Sequence, residues 1–234
     1  MNLFPRDNLI EFFNASEYNR LFVVGDLHGC YEEFLDKLEQ IKFDFNRDIV
    51  ISVGDLVDRG RESFKCLELV KHPWFKAIRG NHEQMCLEAA IAPEMRAFHQ
   101  RHGGQWLYDL STNMYKDALK LCLDLPIVLE ITFKGKIYGF IHADINENDW
   151  NGFKQKLLES NYFSSNTQST LQRALWGRGR IRSAQNNKNM EIISGINQIY
   201  LGHTVVDAPT RVQNCLYIDT GCVFGGNLTL EEIK

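Results

Sequence analysis

The chain has no run of roughly 18 consecutive apolar residues, the length a helix needs to cross a bilayer, so a helical membrane protein is excluded. No export leader is expected either, because Pro5, Arg6, Asp7, Glu11 and Glu17 interrupt the apolar residues between Met1 and Arg20. Positive charge is not in surplus: 26 Lys and Arg face 30 Asp and Glu, giving a net charge of -4 and a pI near 6.0. That balance provides no field to attract nucleic acid or an anionic membrane surface. The six cysteines (Cys30, Cys66, Cys86, Cys122, Cys215, Cys222) form no Cys-x-x-Cys pair, which argues against a zinc ribbon or a disulfide framework. They read as reduced thiols of a cytoplasmic protein. Internal repeats, long low-complexity tracts and heptads are also missing, and a monomer is the default expectation.

What remains is ordinary globular composition, 44% hydrophobic and 24% charged over 234 residues, enough for one well-packed domain spanning 1–234. The order of elements points to an α/β core. Leu21 to Val24 is a short apolar run suited to a buried strand, and the spacing of Phe34, Leu35, Leu38 and Ile41 predicts a helix over Tyr31 to Ile41. Asp48 to Val53 repeats the strand, after which Ser63 is expected to cap a helix reaching Val70. A third strand is expected at Trp74 to Ile78, with a helix at Glu83 to Ala90. Helices near Met95 to His102 and Tyr115 to Leu123 read as a helical insert over 93–123, broken by Gly103-Gly104. Ile127 to Phe133 and Lys136 to His142 suggest a hairpin turning at Lys134-Gly135. Asn146 to Thr170 reads as polar loop, with Ser160 to Thr167 as a candidate rim segment. Gln198 to Leu201, Cys215 to Asp219 and Leu228 to Ile233 supply the remaining strands.

Five short runs carry metal ligands or phosphate-binding groups: Gly25-Asp26-Leu27-His28-Gly29, Gly54-Asp55-Leu56-Val57-Asp58-Arg59-Gly60, Arg79-Gly80-Asn81-His82-Glu83, Ile141-His142-Ala143-Asp144 and Gly202-His203-Thr204. Imidazole, carboxylate and amide oxygen suit divalent first-row metals, and two such ions can clamp the attacking and leaving oxygens of a phosphate ester. Asp26 and His28, two apart, would face one side of an extended backbone. Asp55 follows the second strand as Asp26 follows the first, so parallel pairing would bring both carboxylates to the strand ends. Two adjacent carboxylates repel unless a cation joins them, which makes Asp55 the candidate bridging ligand. Asn81, His142 and His203 can hold a second ion. His82 would point away from Asn81 in an extended segment and is free to serve as general acid, with Asp58 as its partner. Arg59, beside Gly60, and Arg178, within Gly177-Arg178-Gly179, are candidate phosphate ligands. Of the seven histidines, His72, His99 and His102 fall outside these runs and read as structural or surface residues.

Taken together, the runs resemble the phosphoprotein phosphatase family of metallophosphoesterases, nearest its bacteriophage lambda and bacterial branch. The resemblance extends from about Leu21 to about Leu230 and includes Tyr217-Ile218-Asp219-Thr220-Gly221-Cys222-Val223-Phe224. It implies a calcineurin-like fold, a central β-sandwich flanked by α-helices. Asp26, His28 and Asp55 would hold one metal, and Asp55, Asn81, His142 and His203 the other. Two manganese ions are implied, with iron and zinc also admitted by the ligand types. His82 is implied as the acid, Asp58 as its partner, Arg59 and Arg178 as phosphate ligands, and Arg79 as a further helper. The reaction implied is hydrolysis of phosphoserine or phosphothreonine in phosphoprotein substrates by a metal-bridging hydroxide, with phosphotyrosine and phosphohistidine left open. Two alternatives stand beside it. A dinucleoside tetraphosphate hydrolase typically carries aspartate after Asn-His, where this chain has Glu83, and a non-catalytic metal-binding scaffold would have shed a ligand or the acid.

Overall fold

The computed structural model describes residues 2–163 and 169–234. Beginning with β1 (Ile10–Asn14), the chain continues through β2 (Arg20–Val24), α1 (Tyr31–Gln40), β3 (Asp48–Ser52), α2 (Ser63–Glu68), β4 (Phe75–Ala77) and α3 (Asn81–Ile91). Three helices follow, α4 (Arg96–Arg101), α5 (Gln105–Tyr108) and α6 (Thr112–Asp124), then the hairpin β5 (Val128–Phe133) and β6 (Lys136–Ile141). The remainder is α7 (Trp150–Glu159), α8 (Thr170–Trp176), α9 (Gly179–Gln185), β7 (Gln198–Leu201), β8 (Thr210–Val212), β9 (Cys215–Tyr217) and β10 (Leu230–Ile233).

These strands make two sheets, one ordered β10-β2-β3-β4 and the other β1-β5-β6-β7-β9-β8. In the smaller sheet β2, β3 and β4 run parallel, with Leu21 opposite Ile49 and Val24 opposite Ser52. Strand side chains alternate between faces, and here both faces are covered. Leu21, Val23, Ile49 and Ile51 meet Leu129, Ile131, Phe140 and Tyr200 of the larger sheet to fill the sandwich. Phe22, Val24 and Val50 point the other way, onto a layer containing Phe34, Leu38, Leu67, Leu87 and Ala118 from the N-terminal helices. Strands buried on two sides lose the polar alternation, which is why these read as unbroken apolar runs. On the far side of the larger sheet, Ile141, Ile199 and Leu201 pack with Trp150, Phe153, Leu171, Leu175 and Ile181. The fold is therefore the expected sandwich between helical layers.

The hairpin turns where expected, with Lys134 and Gly135 both at positive φ, +48° and +75°, the geometry that matches the twist of the flanking strands. Several local expectations fail for identifiable reasons. Asn146 to Thr170 is not all loop: Asp149 caps α7 by accepting the Gly152 N–H at 2.6 Å, and Trp150, Phe153 and Leu157 face the core. Lys154, Gln155, Lys156 and Glu159 occupy the same helix, and their polarity masks the apolar spacing. In the expected rim segment, Ser160 to Thr167, positions 164–167 lie outside the described residues. Ser63 does not cap α2; it is the helix's first residue, and its Oγ accepts from the Asp58 amide at 2.9 Å. Among the described residues no helix is long and apolar enough to cross a membrane.

Candidate metal centre and active site

The parallel strands end side by side, and the loops after β2 and β3 deliver Asp26, His28 and Asp55 to one point. Asp26 and His28 are not on an extended segment as expected. They lie in a tight loop whose amides at Leu27 and His28 donate to the Asp55 carbonyl, 3.1 and 2.8 Å away, with His28 at φ +43°. Asn81 and His82 likewise sit in the first turn of α3 rather than in a strand, and the helical rotation between neighbours sends them to different partners. The His82 amide, at this helix N-terminus, donates to Asp55 Oδ1 at 2.9 Å.

Around Asp55 the donor atoms form two groups. Asp55, His28 and His82 make one, and Asp55, His142 and His203 the other, with the ligand atoms of each within 4.8 Å of one another. His28 Nε2 lies 3.5 Å from Asp55 Oδ2, and His142 Nε2 lies 3.4 Å from Asp55 Oδ1. Backbone carbonyls fix the ring orientations, since His28 Nδ1 donates to Val57 O and His142 Nδ1 to Val53 O, both at 2.8 Å. Each Nε2 is thereby left with a lone pair aimed into the cluster. Asn81 Oδ1 stands between His142 Nε2, at 2.8 Å, and His203 Nδ1, at 2.7 Å. His203 Nε2 is buried with no hydrogen-bond partner among the described residues. Asp26 accepts the His203 amide on both carboxylate oxygens, at 3.2 and 3.0 Å. A side chain at position 202 would collide with it, since a Cβ on Gly202 would come 2.0 Å from Asp26 Oδ1.

The electrostatics call for cations. Burial, then the charges of Asp219 and Asp55, push the Asp26 carboxyl well above its ordinary range. Asp55 goes the other way despite burial, because His142, His82 and His28 surround it. Burial drives His28 down to about 3 and, with His142 nearby, His203 down to about 2, so both rings are neutral. Despite burial, Asp55 in turn holds the His142 ring above its ordinary value, and these imidazoles, carboxylates and an amide oxygen form a donor set that fits divalent ions.

Beside this cluster His82 Nδ1 meets Asp58 Oδ2 at 2.6 Å, and its Nε2 is 3.9 Å from Asp55 Oδ2. Arg59 is exposed and reaches His28 Nε2 through Nη1. From the opposite side Arg178 Nη2 donates to the His203 carbonyl at 3.1 Å. Arg79 departs from expectation. Its guanidinium is buried, 1% exposed, and is spent on the carbonyls of Leu3, Leu123 and Leu125 and on Gln84 Oε1. It ties the N-terminal segment to the end of α6 and leaves no free fork for phosphate.

Three further residues support the site. Glu83 accepts the amides of Asp55, Leu56, Val57 and Gly80 at 2.7–3.3 Å, thereby shaping the Asp55 loop. Asp144, two residues past His142, accepts the Gly179 amide at 2.6 Å and holds the Arg178 segment. Burial and Asp55 raise Glu83 to about 7. The third, His99, is buried against Asp58. Only their place at the ends of the quoted runs signals the first two.

A sandwich with this cluster at the strand ends is that of a metal-dependent phosphoesterase. The chain belongs to the calcineurin-like phosphoesterase family, whose model matches residues 20–207. It is 33% identical over 231 residues to serine/threonine-protein phosphatase 1 of Salmonella typhimurium, covering 97% of this chain and 98% of that protein. A bis(5'-nucleosyl)-tetraphosphatase, PrpE, of Halalkalibacterium halodurans is more distant, 24% identical with 88% of this chain and 87% of that protein covered. In fold the chain is similar to the crystal structure of a putative diadenosine tetraphosphatase, with a TM-score of 0.63 at 19% identity, covering 97% and 94% of the two chains.

Proposed function

We propose that the chain is a serine/threonine protein phosphatase of 1–234 as one domain, hydrolysing phosphomonoesters of phosphoproteins directly, with phosphotyrosine and phosphohistidine as further candidate substrates. The observation that carries the reading is Asp55 shared between two donor groups with the His82–Asp58 pair alongside. Asp26, His28 and Asp55 would hold one divalent ion and Asp55, Asn81, His142 and His203 the other, manganese first, with iron or zinc as alternatives. Bound there, the pair supplies Lewis acidity toward phosphoryl oxygens and lowers the pKa of water. Arg59 and Arg178, flanking the cluster, take the remaining phosphate oxygens in charge-assisted hydrogen bonds. His82 Nε2 carries the proton to the departing oxygen while Asp58 holds Nδ1 and stabilises the ring's charge. The free thiols are in keeping with a cytoplasmic setting, and a monomer acting alone completes the reading.

A tetraphosphate hydrolase is the nearest alternative; the full-length likeness to a protein phosphatase and Glu83 in its bracing position favour the phosphatase. Turnover of a phosphoserine peptide by the manganese-reconstituted protein, set against turnover of a dinucleoside tetraphosphate, tests the choice. Preference for the tetraphosphate overturns it, and failure to hydrolyse either leaves the scaffold reading.

A further inference from the structure

We propose that His99 and Trp106, both in the helical insert, are positioning residues for the acid, acting through Asp58. The inference rests on His82 being the proton donor and adds residues that no motif contains. Asp58 is wholly buried, and its carboxylate has three side-chain donors. His82 Nδ1 takes Oδ2 at 2.6 Å, Trp106 Nε1 donates to Oδ1 at 2.6 Å, and His99 Nε2 lies 3.1 Å from each oxygen. The tautomers are set by the other contacts. Tyr108 OH meets His99 Nδ1 at 3.0 Å, so a hydroxyl donating there leaves the Nε2–H to Asp58.

This arrangement fixes a rotation that the His82 contact alone leaves open. A carboxylate held by one hydrogen bond can swing about its χ2 torsion and carry its partner ring with it. With Trp106 pinning Oδ1 and His99 straddling the pair, the plane of the group is set and Oδ2 faces His82. A ring held at Nδ1 aims Nε2 at one place, 3.9 Å from Asp55 Oδ2, and proton transfer to a leaving oxygen depends steeply on such aim.

A second contact from the insert reaches the next residue. Arg59 N–H donates to the Gly103 carbonyl at 3.2 Å, and Gly103 has φ +98° with its would-be Cβ 2.4 Å from Arg59 N. Asp58 and Arg59 themselves have φ +71° each, a conformation that non-glycine residues hold only when their surroundings impose it. The insert supplies those surroundings, bringing helix residues up to 48 positions away to bear on the turn.

The test compares His99→Phe, Trp106→Phe and His99→Gln in the manganese-reconstituted protein, alone and combined with His82→Asn. Two substrates are used: a phosphoserine peptide, whose leaving oxygen needs a proton, and p-nitrophenyl phosphate, whose leaving group needs little help. On the peptide, His99→Phe and Trp106→Phe should each lower kcat roughly 10-fold with KM held within about twofold, and the loss on p-nitrophenyl phosphate should be several times smaller. His99→Gln, which keeps a donor near Nε2, should recover much of the loss. In the His82→Asn background the same substitutions should add less than about twofold, because the group they aim is gone. Equal losses on the two substrates, or full additivity with His82→Asn, overturn the proposal and leave the insert a structural brace. If His82→Asn alone fails to distinguish the substrates, the acid assignment itself is what falls.

Discussion

The half of the site carried by the smaller sheet is braced by several side chains in addition to backbone, whereas the half carried by the larger sheet is braced chiefly by backbone. Around Asp55 and Asp58 the work falls to Glu83, Ser63, His99 and Trp106. Around His142 and His203 the Gly202 amide donates to the His142 carbonyl at 2.8 Å, the Ala143 amide to Ala174 at 2.8 Å, and His142 Nδ1 to Val53. Asp144, and Asp26 accepting the His203 amide, are the side-chain exceptions. A brace made of side chains writes itself into the sequence as fixed residue types close to the ligands. A brace made of peptide groups can be built from nearly any residues and leaves a histidine standing alone. This is why the first three runs are dense in chemistry and the last two sparse.

Substitution at the shared ligand should erase the distinction with the largest effect. Asp55→Asn is expected to lower kcat/KM on a phosphoserine peptide by about 10³-fold or more, the order that several kcal/mol of metal-borne stabilisation represents, and metal content after reconstitution should fall. An Asp55→Asn protein that keeps its full complement of metal would remove Asp55 from the shared position. Next in size is His82→Asn, where loss of general acid assistance should cost about 10²- to 10⁴-fold in kcat on the peptide with metal content intact; unchanged turnover would strip His82 of that role.

A sharper comparison sets Glu83→Gln against Asp144→Asn. The first should cost about 10- to 100-fold in activity or metal affinity, because four loop amides lose a charged acceptor. The second, acting on a half with other backbone support, should cost clearly less. Steady-state kinetics across a metal titration would measure both, and equal losses would mean that the two halves depend on side chains alike. The ranking closes with Arg79→Leu, which should leave peptide turnover within about threefold yet lower stability by about 2–3 kcal/mol, since buried carbonyls lose their donor. Denaturant unfolding and kinetics together would detect the opposite pattern.

Proton coupling separates the halves in a different way. Asp26 is held high by burial and by Asp219 and Asp55, so in the metal-free protein it retains a proton at a higher pH than a free carboxyl would. A cation can engage it only as that proton leaves. Metal binding should therefore release protons, and apparent affinity should fall on acidification. Calorimetry in buffers of different ionisation enthalpy would count the protons, and Asp26→Asn should reduce the count; an unaltered count would place the coupling elsewhere.

Against this background the limits of sequence reading have physical causes. β2, β3 and the β5–β6 hairpin were legible because doubly buried strands and a positive-φ turn leave local marks. β1 and β8 leave no such mark: they are edge strands, and Phe12 in β1 is 65% exposed, which blurs the apolar pattern. The side chains clustered around Asp55 all lie in the five runs, whereas their backbone setting does not show in the sequence, since loop and helix-start geometry come from tertiary contacts. Arg79 sits directly before Gly80-Asn81-His82 and is implied as a helper by the resemblance, but its partners Leu3 and Leu123 lie 76 and 44 positions away. His99 falls outside the runs, and its partner lies 41 positions away.

The paired left-handed residues at 58 and 59 set heat tolerance against turnover. Arg59 is exposed and its backbone conformation costs an L-residue on the order of 1–2 kcal/mol, so a glycine there would relax the turn while deleting the guanidinium. Under the phosphate role proposed for Arg59, that glycine would gain stability at the expense of turnover.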